Sequence, residues 1–279
     1  MLKNRLVTAA WAIPLVGILI WFGEPYFTIL VAIVASLAFI EFSRLTNVIK
    51  GKRLTVFGVI WTLLFIAIRD PKLQTLIEPH FSLDLLVPLI ITSGVAISLT
   101  ILLTRRQKQG AFTDWAWTFA GILYVGWLLS YLVAMRGFED GKSWVFLTIL
   151  ATFGSDSAAY FVGRLFGKYK LAPSISPGKT WEGSVGGLLG AAAVSLLFLL
   201  PTPLKLTAYL NWWQLILIGL LISVFGQLGD LIESLLKRNT GVKDSGKIFP
   251  GHGGMLDRTD SIVFAGIVVY YIVMLFKLA

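Results

Sequence analysis

The chain contains no cysteine, only two histidines and few charges of either sign. Without cysteine there are no disulfides and no thiolate to act as nucleophile or metal ligand, and the redox compartment stays open. The two histidines, His80 and His252, lie far apart, which with the missing thiols argues against zinc; His80 reads as an ordinary residue of an external loop. Charged residues make up 14% of the chain, against about a quarter in a soluble domain, so a soluble fold is disfavoured. No internal repeat is evident, and the inverted-repeat pattern of many transporters is missing with it. Acids are the scarcer charge, 15 against 24 Lys and Arg, for a net charge of +9. In a soluble protein that excess would point to nucleic acid. Here the basic residues sit in short loops between apolar runs, and nucleic acid is set aside as a partner.

What fills the chain instead is apolar surface: 56% hydrophobic residues, ten Trp and nineteen Phe, and a mean hydropathy of +0.79. A helix crossing a bilayer needs about 20 mostly apolar residues. Nine such runs are predicted, over 6–22, 26–45, 54–68, 85–103, 112–134, 144–166, 184–200, 212–236 and 261–278. The run at 54–68 is the shortest. The fold class expected is an all-α, polytopic integral membrane protein with about nine transmembrane helices. The charged start, Lys3 and Arg5 before a long apolar run, resembles a signal peptide. Because another apolar run follows at once, it reads as an uncleaved first span. Composition divides the chain into N-terminal spans over 1–110 and C-terminal spans over 111–279, which carry the catalytic site.

Loop charge orients the spans. With the N-terminus in the cytoplasm, eighteen of the 24 Lys and Arg residues fall on the cytoplasmic side and six on the other. The richest polar loops, 167–183 and 237–260, then share the cytoplasmic face. The predicted location is the inner (plasma) membrane, multi-pass, with the active site facing the cytoplasm.

The residues that could carry chemistry concentrate between 144 and 260. Asp230, Glu233, Ser234 and Lys237 follow at i, i+3, i+4 and i+7, along one face of a helix. For Glu233 the plain alternative is an ion pair with Lys237. Gly226 and Gly229 flank Asp230 and would let a backbone or ligand approach closely. The loop 251–254, Gly-His-Gly-Gly, offers backbone N–H groups that with Lys243 and Lys247 could cradle phosphates. Asp257 and Asp260 follow, i and i+3, at the mouth of the last span. Carboxylates converging from two helix ends suit Mg²⁺, which takes oxygen ligands and keeps substrate phosphates and water. Asp156 is an ionisable group inside an apolar run, which marks it for function, with a hydrogen-bonded packing role as the alternative. Gly178-Lys-Thr180 looks like a P-loop ending, but Pro173 stands where its upstream Gly would be, and a P-loop is rejected. Lys179 is kept as a phosphate contact. Gly183, Gly186, Gly187 and Gly190 form overlapping G-x-x-x-G patterns that predict close helix packing.

From Ser234 to Asp260 the chain closely resembles the signature of the phosphatidate cytidylyltransferases, the CDP-diacylglycerol synthases. The matching positions are Ser234, Lys237, Arg238, Lys243, Asp244, Pro250, Gly251, His252, Gly253, Gly254, Asp257, Arg258 and Asp260. The stretch Ser176-Pro-Gly-Lys-Thr-Trp-Glu-Gly183 is similar to a second family segment, with Gly178 where the family more often carries Lys. The first half resembles the family only by hydropathy. The resemblance implies transfer of CMP from CTP to phosphatidate, giving CDP-diacylglycerol and pyrophosphate. It implies CTP, phosphatidate and membrane lipid as partners and Mg²⁺ as cofactor. The catalytic set implied is Asp257, Asp230, Lys237, Arg258 and Asp260. Substrate binding falls to Lys179, Arg238, Lys243, Lys247, His252, Gly253 and Gly254. The metal ligands are Asp230 and Asp257, with Asp156 and Asp260 in reserve. Oligomeric state is left open, a homodimer included. The competing reading is a secondary transporter of an anionic substrate, disfavoured because the polar residues cluster at one face. A CDP-alcohol phosphotransferase is disfavoured because its Asp-Gly-x-x-Ala-Arg stretch is missing.

Overall fold

Long apolar runs with few interruptions leave the backbone little choice in a bilayer, where each N–H and C=O must be satisfied within the segment. A computed structural model describes residues 2–45, 52–105, 108–206, 210–246 and 253–276, and most of them are helical. By internal contacts the chain forms two compact units, residues 1–137 with 244–257, and residues 138–243 with 258–279.

The first unit begins with α1 (Leu2–Phe22), which contains Pro14, and α2 (Tyr26–Leu45). Arg136 closes the end of α1: its Nε donates to the Ile20 carbonyl at 3.0 Å, a cation on orphan carbonyls at a helix C-terminus. Helix α2 buries Phe27, Val31, Ala35, Ala38, Phe42 and Leu45, the three-and-four spacing of one helix face. The expected span 54–68 is realised as α3 (Lys52–Ala67) followed by α4 (Pro71–Ile77), the two bent by 84°. The break is written in the chain: Asp70 caps α4 by accepting from Leu73 N at 3.0 Å, and Pro71 opens it, as a proline at the first helical position favours. Then come α5 (Leu83–Leu103), α6 (Ala111–Gly121), a π-helical stretch Ile122–Trp127 and α7 (Leu128–Arg136). The last three form one continuous span, Ala111–Arg136.

The second unit consists of α8 (Gly141–Phe166), a hairpin of β1 (Lys170–Ala172) and β2 (Ser176–Thr180), α9 (Trp181–Leu196), α10 (Trp212–Asn239) and the body of α11 (Leu256–Leu275). The strands are antiparallel, with Lys170 opposite Thr180. Thr180 caps α9 through its hydroxyl, which accepts from Gly183 N at 3.1 Å. Helices α8 and α9 meet through the predicted small residues. A Cβ at Gly190 would stand 2.7 Å from the Gly154 carbonyl oxygen, and one at Gly183 would stand 2.8 Å from that of Ala159.

Seven helices among the described residues are long and apolar enough to cross a membrane, eight if the bent pair is one span. The all-α membrane class holds, apart from the small hairpin; the count of nine is not reproduced. Part of the difference lies in α3, whose 16 residues are short of a full span and which bends into α4. Large apolar side chains stay on the outside, among them Ile29 and Ile33 on α2, Leu85 and Leu89 on α5, and Phe153 and Phe161 on α8. Surface of that kind suits lipid and not water.

Candidate active site

In the second unit the hairpin carries Lys179 to α10. Its ammonium lies 2.8 Å from Asp230 Oδ2 and 3.3 Å from the Gln227 carbonyl oxygen. Asp230 Oδ1 accepts from the Ser234 hydroxyl at 3.3 Å, the i, i+4 contact read from the sequence. Asp156 on α8 lies within electrostatic reach of Asp230, Lys179 and Arg258. Asp260 on α11, 9% exposed, interacts electrostatically with Asp230, Asp156 and Lys237, and its Oδ1 accepts from Ser261 N at 2.7 Å. Three carboxylates and three cations from β2, α8, α10 and α11 thus form one polar group in an otherwise apolar bundle. Gly229 permits it: a Cβ there would stand 2.3 Å from the Asp260 carbonyl oxygen.

A bracket of uncharged polar groups supports this cluster. Gln227 accepts from the Ser184 hydroxyl, and its amide donates to the Ser184 carbonyl at 3.2 Å and to Ser223 Oγ at 2.9 Å. Ser223 and Ser155 hydroxyls lie 2.7 Å apart. Gln227 was not among the sequence candidates. The available signal was Ser223 and Gln227 at i and i+4 inside an apolar run, polar groups that need partners when buried.

Other predicted residues have different surroundings. Glu233 is fully buried and ion-paired with Lys237, the plain alternative weighed for it. Arg238 Nε donates to the Ile175 carbonyl at 3.1 Å, tying the end of α10 to the hairpin turn. Lys243 is exposed. Lys247 and His252 lie outside the described residues.

Asp257, Gly253 and Gly254 belong to the first unit. Asp257 Oδ2 accepts from Ser245 N at 3.0 Å, the Ser245 hydroxyl at 2.9 Å and Gly254 N at 2.8 Å. It closes the 244–257 loop on the first turn of α11, where a carboxylate also meets the positive end of the helix dipole. Gly253 has φ +83°, and a Cβ there would stand 2.6 Å from that same oxygen. Beneath this loop lies Glu41 of α2, which the sequence reading passed over as part of an apolar run.

The donor set is chemically suited to a hard divalent cation. It is oxygen only, and Mg²⁺ asks for one or two carboxylates, taking the rest from substrate phosphate and water. Among the described residues no three of His, Asp, Glu or Cys are grouped to hold a metal ion by themselves.

Fold and cluster together define a helical membrane protein with a charged, oxygen-rich site built from its C-terminal half. Residues 3–276 match the Cytidylyltransferase family. The phosphatidate cytidylyltransferase of Bacillus subtilis is 35% identical over 278 residues, 99% of both chains. The phosphatidate cytidylyltransferases of Staphylococcus haemolyticus and Staphylococcus saprophyticus are 39% and 40% identical, each over 82% of this chain and 83% of theirs. The chain belongs to the cytidylyltransferase family and is an enzyme, a nucleotidyltransferase.

Proposed function

We propose that this enzyme transfers CMP from CTP to phosphatidate, releasing pyrophosphate, at the cytoplasmic face of the membrane. The observation that supports it best is the Lys179–Asp230 pair beside Asp156, Asp260, Arg258 and Lys237 in the second unit. Both substrates are anionic, and the lipid presents its phosphate at the membrane surface. A phosphatidate oxygen attacks the α-phosphorus of CTP, the new P–O bond forms, and the bond to the β-phosphate bridging oxygen breaks. The attacking oxygen already carries negative charge, so no protein nucleophile is required. Catalysis then rests on positioning and on neutralising charge that develops on the phosphates. Lys179, Lys237, Arg238, Lys243, Lys247 and Arg258 are the proposed phosphate contacts.

Mg²⁺ is proposed as cofactor, held by Asp230 and Asp257 with Asp156 and Asp260 in reserve. It would supply charge neutralisation on the phosphates. The full topology proposed is nine spans, with α1 as the first and the bent pair counted once. The test is radiolabelled CTP turnover in detergent with phosphatidate as acceptor. Label in a lipid product and release of pyrophosphate are expected. Label that stays in CTP while the protein binds or moves an anion would favour a transporter.

A further inference from the structure

We propose that Glu41 is a positioning residue that holds both ends of the 244–257 loop and through them fixes the carboxylate of Asp257.

Helix α2 is otherwise an apolar span, yet Glu41 is only 2% exposed on its buried face. A carboxylate buried there is costly unless donors meet it. The donors come from more than 200 residues away. Glu41 Oε2 accepts from the Ser245 hydroxyl at 3.1 Å and from Leu256 N at 2.9 Å. Ser245 begins the loop and Leu256 immediately precedes Asp257. The same Ser245 hydroxyl lies 2.9 Å from Asp257 Oδ2, so one serine joins the two carboxylates. Glu41 Oε1 has no hydrogen-bond partner among the described residues.

The loop is cut to fit this side chain. A Cβ at Gly246 would stand 2.1 Å from Glu41 Oε1, and one at Gly254 would stand 2.3 Å from Oε2. Neither glycine has positive φ, so at these two positions close approach of the carboxylate, and not backbone conformation, accounts for the missing side chain. Two loop glycines and a residue of the first apolar half thus form one arrangement. None of its oxygens needs to touch substrate for it to matter. If Ser245 and Leu256 shift, the donors that orient Asp257 shift with them.

The proposal rests on the reading of Asp257 as a residue of the reaction site, and the test separates the two. Amide hydrogen exchange over 244–257 and steady-state cytidylyl transfer are measured on the full-length protein, for wild type, Glu41→Ala and Glu41→Gln. In Glu41→Ala the Leu256 and Ser245 amides should exchange roughly fivefold faster or more, the loss of about one hydrogen bond. Its kcat should fall about 10–100-fold, the range for partners that orient reactive ligands, with KM for CTP little changed. Glu41→Gln keeps an oxygen facing both donors and should restore loop protection and most of kcat. Combined with Asp257→Asn, Glu41→Ala should add little further loss, because both act through one group. Unchanged loop exchange in Glu41→Ala overturns the proposal. So does a Glu41→Gln enzyme with a protected loop that is as slow as Glu41→Ala, since charge and not position would then matter. If Glu41→Ala does not fold, Glu41→Gln decides by the same two readings. A wild-type enzyme that fails to use CTP and phosphatidate would remove the proposed reaction, and the exchange data would still decide the positioning role.

Discussion

Replacing Gly229 by Ala tests the cluster through its backbone, without touching any charged group. The added Cβ would stand 2.3 Å from the Asp260 carbonyl oxygen, 3.2 Å from its carbon and 3.0 Å from Phe264 Cδ2. An unstrained carbon–oxygen contact needs about 3.3 Å, so α10 and α11 must part locally by roughly 1 Å. The nearest obstructing atom, the Asp260 carbonyl oxygen, is backbone and cannot rotate away. Overpacking of this kind typically costs about 1–3 kcal/mol, while Ala in place of Gly returns about 1 kcal/mol of helix propensity. The net loss of stability is then modest, ~0–2 kcal/mol. Activity should suffer more, because Asp230 adjoins Gly229 and Asp260 is the residue pushed away; a misplacement of about 1 Å can cost ~100-fold in rate. Gly226, one turn earlier, is the control: a Cβ there would find its nearest atoms at 3.7 Å, in ordinary contact. Gly226→Ala should melt at or above the wild-type temperature and keep its turnover within about twofold. The assay is CDP-diacylglycerol formation with thermal unfolding in the same detergent. Equal activities for the two alanine variants would refute the argument that the α10–α11 contact sets the site.

Four further outcomes are expected. Asp230→Asn should lower turnover by ~100–1,000-fold with little loss of folded protein, measured across a Mg²⁺ titration; near-normal activity would take Asp230 out of the metal and charge-stabilising roles. Lys179→Ala should raise the apparent KM for CTP by ~10-fold or more, the scale of a charged hydrogen bond, and a change confined to kcat would count against phosphate binding. Glu233→Gln should lower the unfolding temperature, because it removes the charge that pairs with Lys237 at a fully buried position, and a Gln variant as stable as wild type would show the pair with Lys237 to be incidental. In the cysteine-free chain, single cysteines at Ser174 and Asn239 should react with a membrane-impermeant thiol reagent only from the cytoplasmic side, and reaction of either from outside alone would invert the topology.

Most helices were legible in the sequence because hydropathy is the dominant force on a chain in lipid. The span expected over 26–45 is α2 to the residue, and 212–236 lies inside α10. What hydropathy could not show was how helices stop and bend. The span expected over 54–68 ends within a residue of α3, but the short helix α4 that Asp70 and Pro71 start, a capping acid followed by a first-turn proline, was not expected. The hairpin 170–180 was invisible for the opposite reason. Two strands of three and five residues leave no period to read, and Pro173 and Gly178 announce a turn without saying what pairs across it.

The candidate site was legible only where its residues are close in sequence. Asp230 and Ser234 one helical turn apart, and Glu233 paired with Lys237, follow from spacing alone. The Lys179–Asp230 contact joins residues some fifty positions apart; Lys179 had been kept as a phosphate contact and Asp230 as a metal ligand, and nothing in the pattern paired them. Glu41 is the instructive failure. Flanked by Ile40 and Phe42 within the span expected over 26–45, it was passed over in the sequence. Its role becomes visible only once Ser245 and Leu256 are seen to donate to it and Gly246 and Gly254 to yield space for it. A carboxylate whose donors lie more than two hundred positions away has no local signature. The glycines of 251–254 did have one, and it was read as a source of backbone N–H groups for a ligand's phosphates; Gly246 drew no reading. At Gly246 and Gly254 the space is taken by the protein's own carboxylate, so the loop's glycines serve the placement of Asp257 at least as directly as the approach of substrate.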